Sequence, residues 1–292
     1  LVKILSRFST TRLRNVLQLD SCESWIFCYN HVMIFDGKRL AREIEALLRQ
    51  RLRTGEKRIP KIVSILVGED PASVLYTKLK KAAAERVGVR FEIRRIKDRE
   101  SQESVMRQVK AVGEDESVDG VMVQLPLPAS LRGETAKLLA EIPIAKDVDG
   151  LRWEDSGMMP ATVRAILTIL KKITIADIWD KQFVVVGARG MVGRPLVHYL
   201  RERGFRVSEV EWDTPKAEEL IKAGEVVISC TGRVGIVTGE MVKEGVVAID
   251  VGSPKGDMTV EVYQKASVAV PSPGGVGPVT IACLMENVVS ML

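Results

Sequence analysis

From Asp36 onward, apolar positions switch repeatedly between a helical and a strand period, which predicts an α/β protein. Leu40, Ile44, Leu47 and Leu48 share one helical face, and Gly55 closes that helix. The run KIVSILV over 61–67 is too continuously apolar for a half-exposed strand and reads as a buried one. A helix over 71–87, a strand over 91–96, an amphipathic helix over 101–112 and a strand over 120–124 follow. Leu-Pro-Leu-Pro at 125–128 stops that strand.

Gly150, Gly157 and Pro160 then break the pattern, and a helix from about 162 to 172 bridges two domains. Beyond it the alternation resumes, with strands over 183–186, 206–211, 226–230, 246–251 and 267–270. Helices over 191–203, 215–223 and near 260 separate them, and a terminal helix starts at about Pro278. The expected division is an extension over 1–32, a first domain over 33–155, a second over 156–277 and the terminal helix over 278–292.

The strand at 183–186 runs into Gly187-Ala188-Arg189-Gly190-Met191-Val192-Gly193 and then a helix. Glycines so placed let the backbone approach a pyrophosphate, while the helix start offers N–H donors, so this turn reads as a dinucleotide loop. A tight turn with no ligand is the alternative. Glu209, Glu211 and Asp213 stand near the end of the next strand, where an acid meets the ribose. Arg189, Arg194 and Arg206 are cations available to a phosphate there.

In the first half, Ser73, Tyr76 and Lys80 fall within about 60° of one helical face. A hydroxyl, a phenol and an ammonium on one stripe suggest either a solvated surface or a desolvated lysine that carries protons. Gln124 favours the second reading, because an amide ending a buried strand needs a partner and strand ends in α/β sheets hold ligands. Asp149, in Lys146-Asp147-Val148-Asp149-Gly150, either caps a turn or accepts paired N–H donors from a heterocycle. Pro271 to Pro278 is too dense in Pro and Gly for a simple connector, and either wraps a flat ligand or forms a rigid loop.

Composition narrows the chemistry. Only His31 and His198 occur, so a His-based triad or a His-rich metal site is excluded, and no metal is expected. Lys, Tyr, Asp and Glu must carry the proton work. Cys22, Cys28, Cys230 and Cys283 form no CxxC, which fits a reducing compartment rather than a disulfide framework. Cations exceed acids by 43 to 38 and aromatics are only 5%, so no nucleic-acid partner is expected. The longest uncharged stretch, 266–285, holds three prolines and three glycines, so no membrane span is expected. Residues 1–32 carry Lys3, Arg7, Arg12 and Arg14 with no acid before Asp20. They read as translated upstream sequence before a start at Met33, or as an organellar transit peptide.

The combination of Ser73-x-x-Tyr76-x-x-x-Lys80, Val123-Gln124-Leu125-Pro126-Leu127-Pro128, Lys146 to Gly150 and Pro273-Gly274-Gly275-Val276-Gly277-Pro278 resembles the bifunctional methylenetetrahydrofolate dehydrogenase/methenyltetrahydrofolate cyclohydrolase family. The likeness runs from about residue 33 to 292. It implies an N-terminal folate-binding α/β domain and a C-terminal Rossmann-like domain, with the last helix packing back on the first. By the same resemblance Lys80 is the key catalytic residue, Tyr76 stacks on or orients the folate, Gln124 tunes Lys80, and Asp149 holds the pterin N–H edge. Ser73, Val123, Leu125, Pro273, Gly274, Gly275, Val276 and Gly277 complete the implied folate contacts. Gly187, Ala188, Arg189, Gly190, Gly193, Trp212 and Ser253 are the implied dinucleotide contacts. The resemblance further implies a cytoplasmic homodimer that oxidises 5,10-methylenetetrahydrofolate with NADP and hydrolyses the methenyl product to 10-formyltetrahydrofolate.

This chain departs from the family pattern at several points. Pro160-Ala161-Thr162-Val163 replaces Pro-Cys-Thr-Pro, and Ser272 replaces a more usual Val. Gly187-Ala188-Arg189 replaces Gly-Arg-Ser, which displaces the arginine by one, and Glu211, Trp212 and Asp213 stand near the place of a 2′-phosphate. These last changes keep NAD open beside NADP. Another two-domain dehydrogenase of the shikimate or amino-acid type, or a non-catalytic nucleotide-binding protein, are the rival classes.

Overall fold

The computed structural model describes residues 26–29, 32–55, 58–175 and 177–291. Residues 1–25, where most of the expected extension falls, lie outside the described residues. The chain divides into two compact units: residues 41–164 with 280–291, and residues 26–40 with 165–279. It passes from one unit to the other within three helices, α1 (Gly37–Thr54), α6 (Ala161–Lys172) and α10 (Val276–Ser290).

The first unit is built on three parallel strands, β3 (Lys61–Val67), β4 (Arg90–Ile96) and β5 (Gly120–Val123), in the order β4-β3-β5. Helices α2 (Pro71–Val87) and α3 (Gln102–Glu114) make the crossovers. Alternation along β3 feeds two cores. Val63, Ile65 and Val67 pack with Val105 and Val109 of α3. Ile62 packs with Ala83, Ala84 and Val87 of α2 and with Leu284, Met285 and Val288 of α10. The terminal helix thus returns to the first unit, as the resemblance implied. Asn287 fastens it there, its Nδ2 donating to Val148 O at 3.0 Å and Met159 O at 3.1 Å.

The two short elements α4 (Thr135–Ala140) and α5 (Trp153–Ser156) complete that unit. The second unit carries a seven-stranded sheet. Five of its parallel strands are β6 (Phe183–Val186), β7 (Val207–Val210), β8 (Val226–Ser229), β9 (Val247–Asp250) and β10 (Val268–Val270). Helices α7 (Gly193–Glu202), α8 (Ala217–Ala223) and α9 (Val260–Lys265) connect them.

A hairpin of β1 (Ile26–Tyr29) and β2 (Val32–Phe35) extends this sheet, in the order β1-β2-β10-β9-β8-β6-β7. Among the described residues, Ile26–Tyr29 and Val32, which fall within the expected extension, pair in this sheet, and residues 33–40 group with it. The partner of β2 is β10, more than 230 residues away, and local periodicity carries no trace of so distant a pairing. The two compact units meet at 164/165, inside α6. The terminal helix begins two residues before Pro278, since a proline in the first turn lacks only an N–H that has no intrahelical partner.

No helix among the described residues is long and apolar enough to cross a membrane. Among the same residues no group of three or more potential metal ligands assembles.

Candidate active site

Helix α2 is fixed at both ends. Asp70 caps it by accepting from Ser73 N at 2.8 Å, Pro71 opens it, and Gly88 closes it in the left-handed region at φ 97°. The hydrogen bond from Ser73 holds the Asp70 carboxyl below its ordinary range. This sets the helix phase and turns Ser73, Thr77 and Lys80 inward, each under 9% exposed. Tyr76, on the same side, is half-buried.

Lys80 Nζ donates to Gln124 Oε1 at 3.1 Å and lies 3.9 Å from Asp149 Oδ2. Burial pushes the Lys80 ammonium below its ordinary value of 10.5, while the Asp149 charge pulls it back. Gln124 presents Oε1 to the lysine because its own Nε2 is committed to Leu125 O at 2.7 Å, and its backbone N–H continues the β-ladder to Ile65 O. Val123 and Leu125 are turned into the hydrophobic core of the unit. Their side chains frame Gln124 rather than offering a polar contact to a ligand.

The turn bonds fall to the neighbouring acid rather than to Asp149. Asp147, 3% exposed, takes the turn bonds, accepting from Gly150 N at 3.1 Å and Arg152 N at 2.8 Å. Asp149 is thereby left facing Lys80. Burial raises the Asp147 carboxyl above its ordinary range. Sequence reading missed this division of labour, which DVDG spacing alone does not encode. Ser73 Oγ is buried without a hydrogen-bond partner, so a polar group from a ligand would satisfy it.

The second unit holds a separate site. The strand order reverses between β6 and β8, which opens a crevice at their carboxyl ends. Gly187 leaves β6 at φ 83°, and a Cβ on Gly193 would stand 2.0 Å from Gly187 O, so the helix start can approach only with glycine there. A cavity of 460 Å³ lies against this turn, with Gly187, Arg189, Gly190, Glu211, Trp212 and Thr231 in its wall. Its size and glycine-lined floor fit part of a dinucleotide. The buried Ala188 and Gly193 shape the turn from behind, while Ser253 is exposed on the loop after β9, outside that wall.

Arg189 N donates to Glu211 Oε1 at 2.5 Å, and its guanidinium grips Asp213 with bonds of 3.2 and 2.5 Å. Glu209 instead pairs with Arg201 of α7 and does not line the cavity. Cys230 and Thr231, unmarked in the sequence reading, also line it. Burial pushes the Cys230 thiol up to about 12, so it stays protonated and donates to Val186 O. Pro273 to Gly277 belong to this unit, where Gly275 N bonds Pro271 O and Gly275 packs against Gly37.

Comparison with known proteins agrees with both halves. Residues 35–149 match the model of the tetrahydrofolate dehydrogenase/cyclohydrolase catalytic domain, and 160–292 that of its NAD(P)-binding domain. The chain belongs to the tetrahydrofolate dehydrogenase/cyclohydrolase family.

It is 35% identical over 276 residues to the bifunctional protein FolD of Methanospirillum hungatei, a match covering 89% of this chain and 97% of that one. The crystal structure of the Trypanosoma brucei enzyme, complexed with NADP cofactor and inhibitor, superposes with a TM-score of 0.81 at 30% identity, covering 89% and 97%. The Campylobacter jejuni FolD structure gives 0.79 at 32% identity, covering 88% and 97%. As a tetrahydrofolate dehydrogenase/cyclohydrolase, this chain is a bifunctional methylenetetrahydrofolate dehydrogenase and methenyltetrahydrofolate cyclohydrolase with an NAD(P)-binding domain. The rival readings as another dehydrogenase or a non-catalytic binder are not favoured.

Proposed function

We propose that Lys80 carries the proton in the cyclohydrolase step, supported by Gln124 and Asp149. The observation behind this reading is the placement of Nζ against Gln124 Oε1 and Asp149 Oδ2 in a buried position. Burial favours the neutral amine, the form that can accept a proton from water. As a C–O bond forms between water and the methenyl carbon, Lys80 takes the water proton. The bond from that carbon to N5 then breaks as the new hydroxyl loses its proton to solvent and becomes the formyl C=O. N5 takes up the proton held by Lys80, and the formyl group remains on N10.

Asp149 holds the pterin N–H edge in this reading, and Tyr76 orients the ring system. Ser73, with its unpartnered Oγ, Val123 and Leu125 through their backbone, and Pro273, Gly274, Gly275, Val276 and Gly277 complete the folate contacts. Gly187, Ala188, Arg189, Gly190, Gly193, Trp212 and Ser253 hold the dinucleotide. When bound, the nicotinamide supplies a hydride acceptor for the methylene bridge.

For the dinucleotide, the resemblance places NADP before NAD. The Glu211 carboxylate in the cavity wall and the engagement of Arg189 by Asp213 support NAD instead. A carboxylate there accepts from a free ribose 2′-OH and repels a phosphate. A homodimer in the cytoplasm, implied by the resemblance, remains part of the proposal. Assays of 5,10-methylenetetrahydrofolate oxidation with each cofactor, and of methenyl hydrolysis with none, test the reading. Loss of neither activity on replacing Lys80 would end it.

A further inference from the structure

One carboxylate in the nucleotide unit has no place in the chemistry above. Asp257 follows β9 and is fully buried, at 0% exposure. It forms no ion pair among the described residues. Its Oδ2 instead collects four donors: Ser229 Oγ at 3.0 Å, Thr231 N at 2.7 Å, Thr231 Oγ1 at 2.9 Å and Gly232 N at 3.2 Å. All four come from the end of β8 and the loop that follows it. That loop forms one wall of the nucleotide cavity through Cys230, Thr231 and Arg233.

The carboxylate is itself held from behind. Asp257 N donates to Asp250 Oδ1 at 3.0 Å, and Asp250 Oδ2 accepts from Met258 N at 2.9 Å and Tyr263 OH at 2.5 Å. Asp257 Oδ1 has no hydrogen-bond partner and lies against Gly252, where a Cβ would come within 2.4 Å of it. Burying a charge is costly unless several donors meet it, and here two of the four come from Thr231 in the cavity wall and the other two from Ser229 and Gly232 on either side of it. A loop needing only closure could be tied by a neutral acceptor. A charged one organises three residues at once and fixes where Thr231 and Arg233 stand, with Thr231 Oγ1 in turn accepting from Arg233 N at 3.0 Å.

We propose that Asp257 is a positioning residue for the dinucleotide: it acts through Ser229, Thr231 and Gly232 to hold the 230–233 wall in its ligand-accepting shape, without touching the ligand. This rests on the reading of the cavity as the dinucleotide site.

The test uses the full chain with Asp257→Asn, which keeps the side-chain shape but removes the charge, and Thr231→Val, which removes one of the four bonds and leaves no altered acid behind. Asp257→Asn is expected to raise the dinucleotide KM about ten-fold, with dehydrogenase kcat at saturation within about two-fold of the parent. Thr231→Val is expected to raise KM about three-fold. The dinucleotide-free cyclohydrolase rate separates positioning from folding, and it is expected to stay within about two-fold in Asp257→Asn. If both activities fall together with the melting temperature in Asp257→Asn, the residue is structural and the proposal fails. An unchanged dinucleotide KM in either variant also overturns it. A parent protein that oxidises the folate with neither cofactor defeats the dehydrogenase reading itself, and that control is read before any variant is compared.

Discussion

Lys80 donates to Gln124 at 3.1 Å although 44 residues separate them, and the pair joins the middle of α2 to the end of β5. The amide is rigid because both its backbone N–H and its side-chain Nε2 are already bonded. A buried lysine held by a neutral acceptor keeps its proton loosely, whereas a full ion pair at bonding distance would lock the charge on. Asp149, at 3.9 Å, balances this without closing a tight bridge.

Lys80→Met should abolish methenyltetrahydrofolate hydrolysis, by at least about a hundred-fold, while folding and dinucleotide binding persist. Methionine matches the buried stem and leaves Gln124 Oε1 unpaired, so a melting temperature within a few degrees of the parent is expected. The hydrolysis rate followed spectroscopically, beside a calorimetric scan, checks both halves.

The depressed Lys80 value has a pH consequence with a definite sign. The neutral amine is the active form, so cyclohydrolase kcat should rise with pH on a limb centred below 10.5. The unfolded chain binds the Lys80 proton more tightly than the native one. Stability therefore increases with pH between the depressed value and 10.5, and Lys80→Met should flatten this part of the curve. Urea midpoints of the two proteins against pH provide the comparison; parallel curves would contradict it.

Cofactor choice turns on Glu211 and Asp213. Replacing both, as Glu211→Gln with Asp213→Asn, removes two negative charges and frees the Arg189 guanidinium. A like-charge contact of about 1–3 kcal/mol predicts a gain of roughly ten- to hundred-fold in kcat/KM for NADP relative to NAD. In the parent, NADP used ten-fold better than NAD would reverse the assignment.

The N-terminal hairpin makes its own prediction. A chain starting at Met33 lacks β1 and Val32, whereas one starting at Ile26 retains the whole hairpin on β10. The shorter chain should melt at least about 3 °C lower. Equal melting points would show the added strand to be dispensable.

Asn287 tests the terminal helix. Asn287→Leu leaves Val148 O and Met159 O without their buried donor, at a cost of about 1–3 kcal/mol. Chemical denaturation measures the loss, and a change below a few tenths of a kcal/mol would mean that apolar packing alone fastens α10.

The sequence by itself determined the element order from α1 to β5 and from α6 to α10, because each buried strand and each amphipathic helix writes its own period into neighbouring residues, but it gave neither the β1–β2 hairpin nor the short α4 and α5. It placed β3, α2 and β6 to the residue and set Lys80, Gln124 and Asp149 apart as candidates. What it could not supply were relations between distant segments. The pairing of β2 with β10, the turn bonds of Asp147 that leave Asp149 facing Lys80, the grip of Asp213 on Arg189, and the four donors on Asp257 all join residues brought close only by folding. Local periodicity records which side of an element is buried. Partner choice for a buried charge is set by geometry across the sheet, so only the tertiary structure decided it.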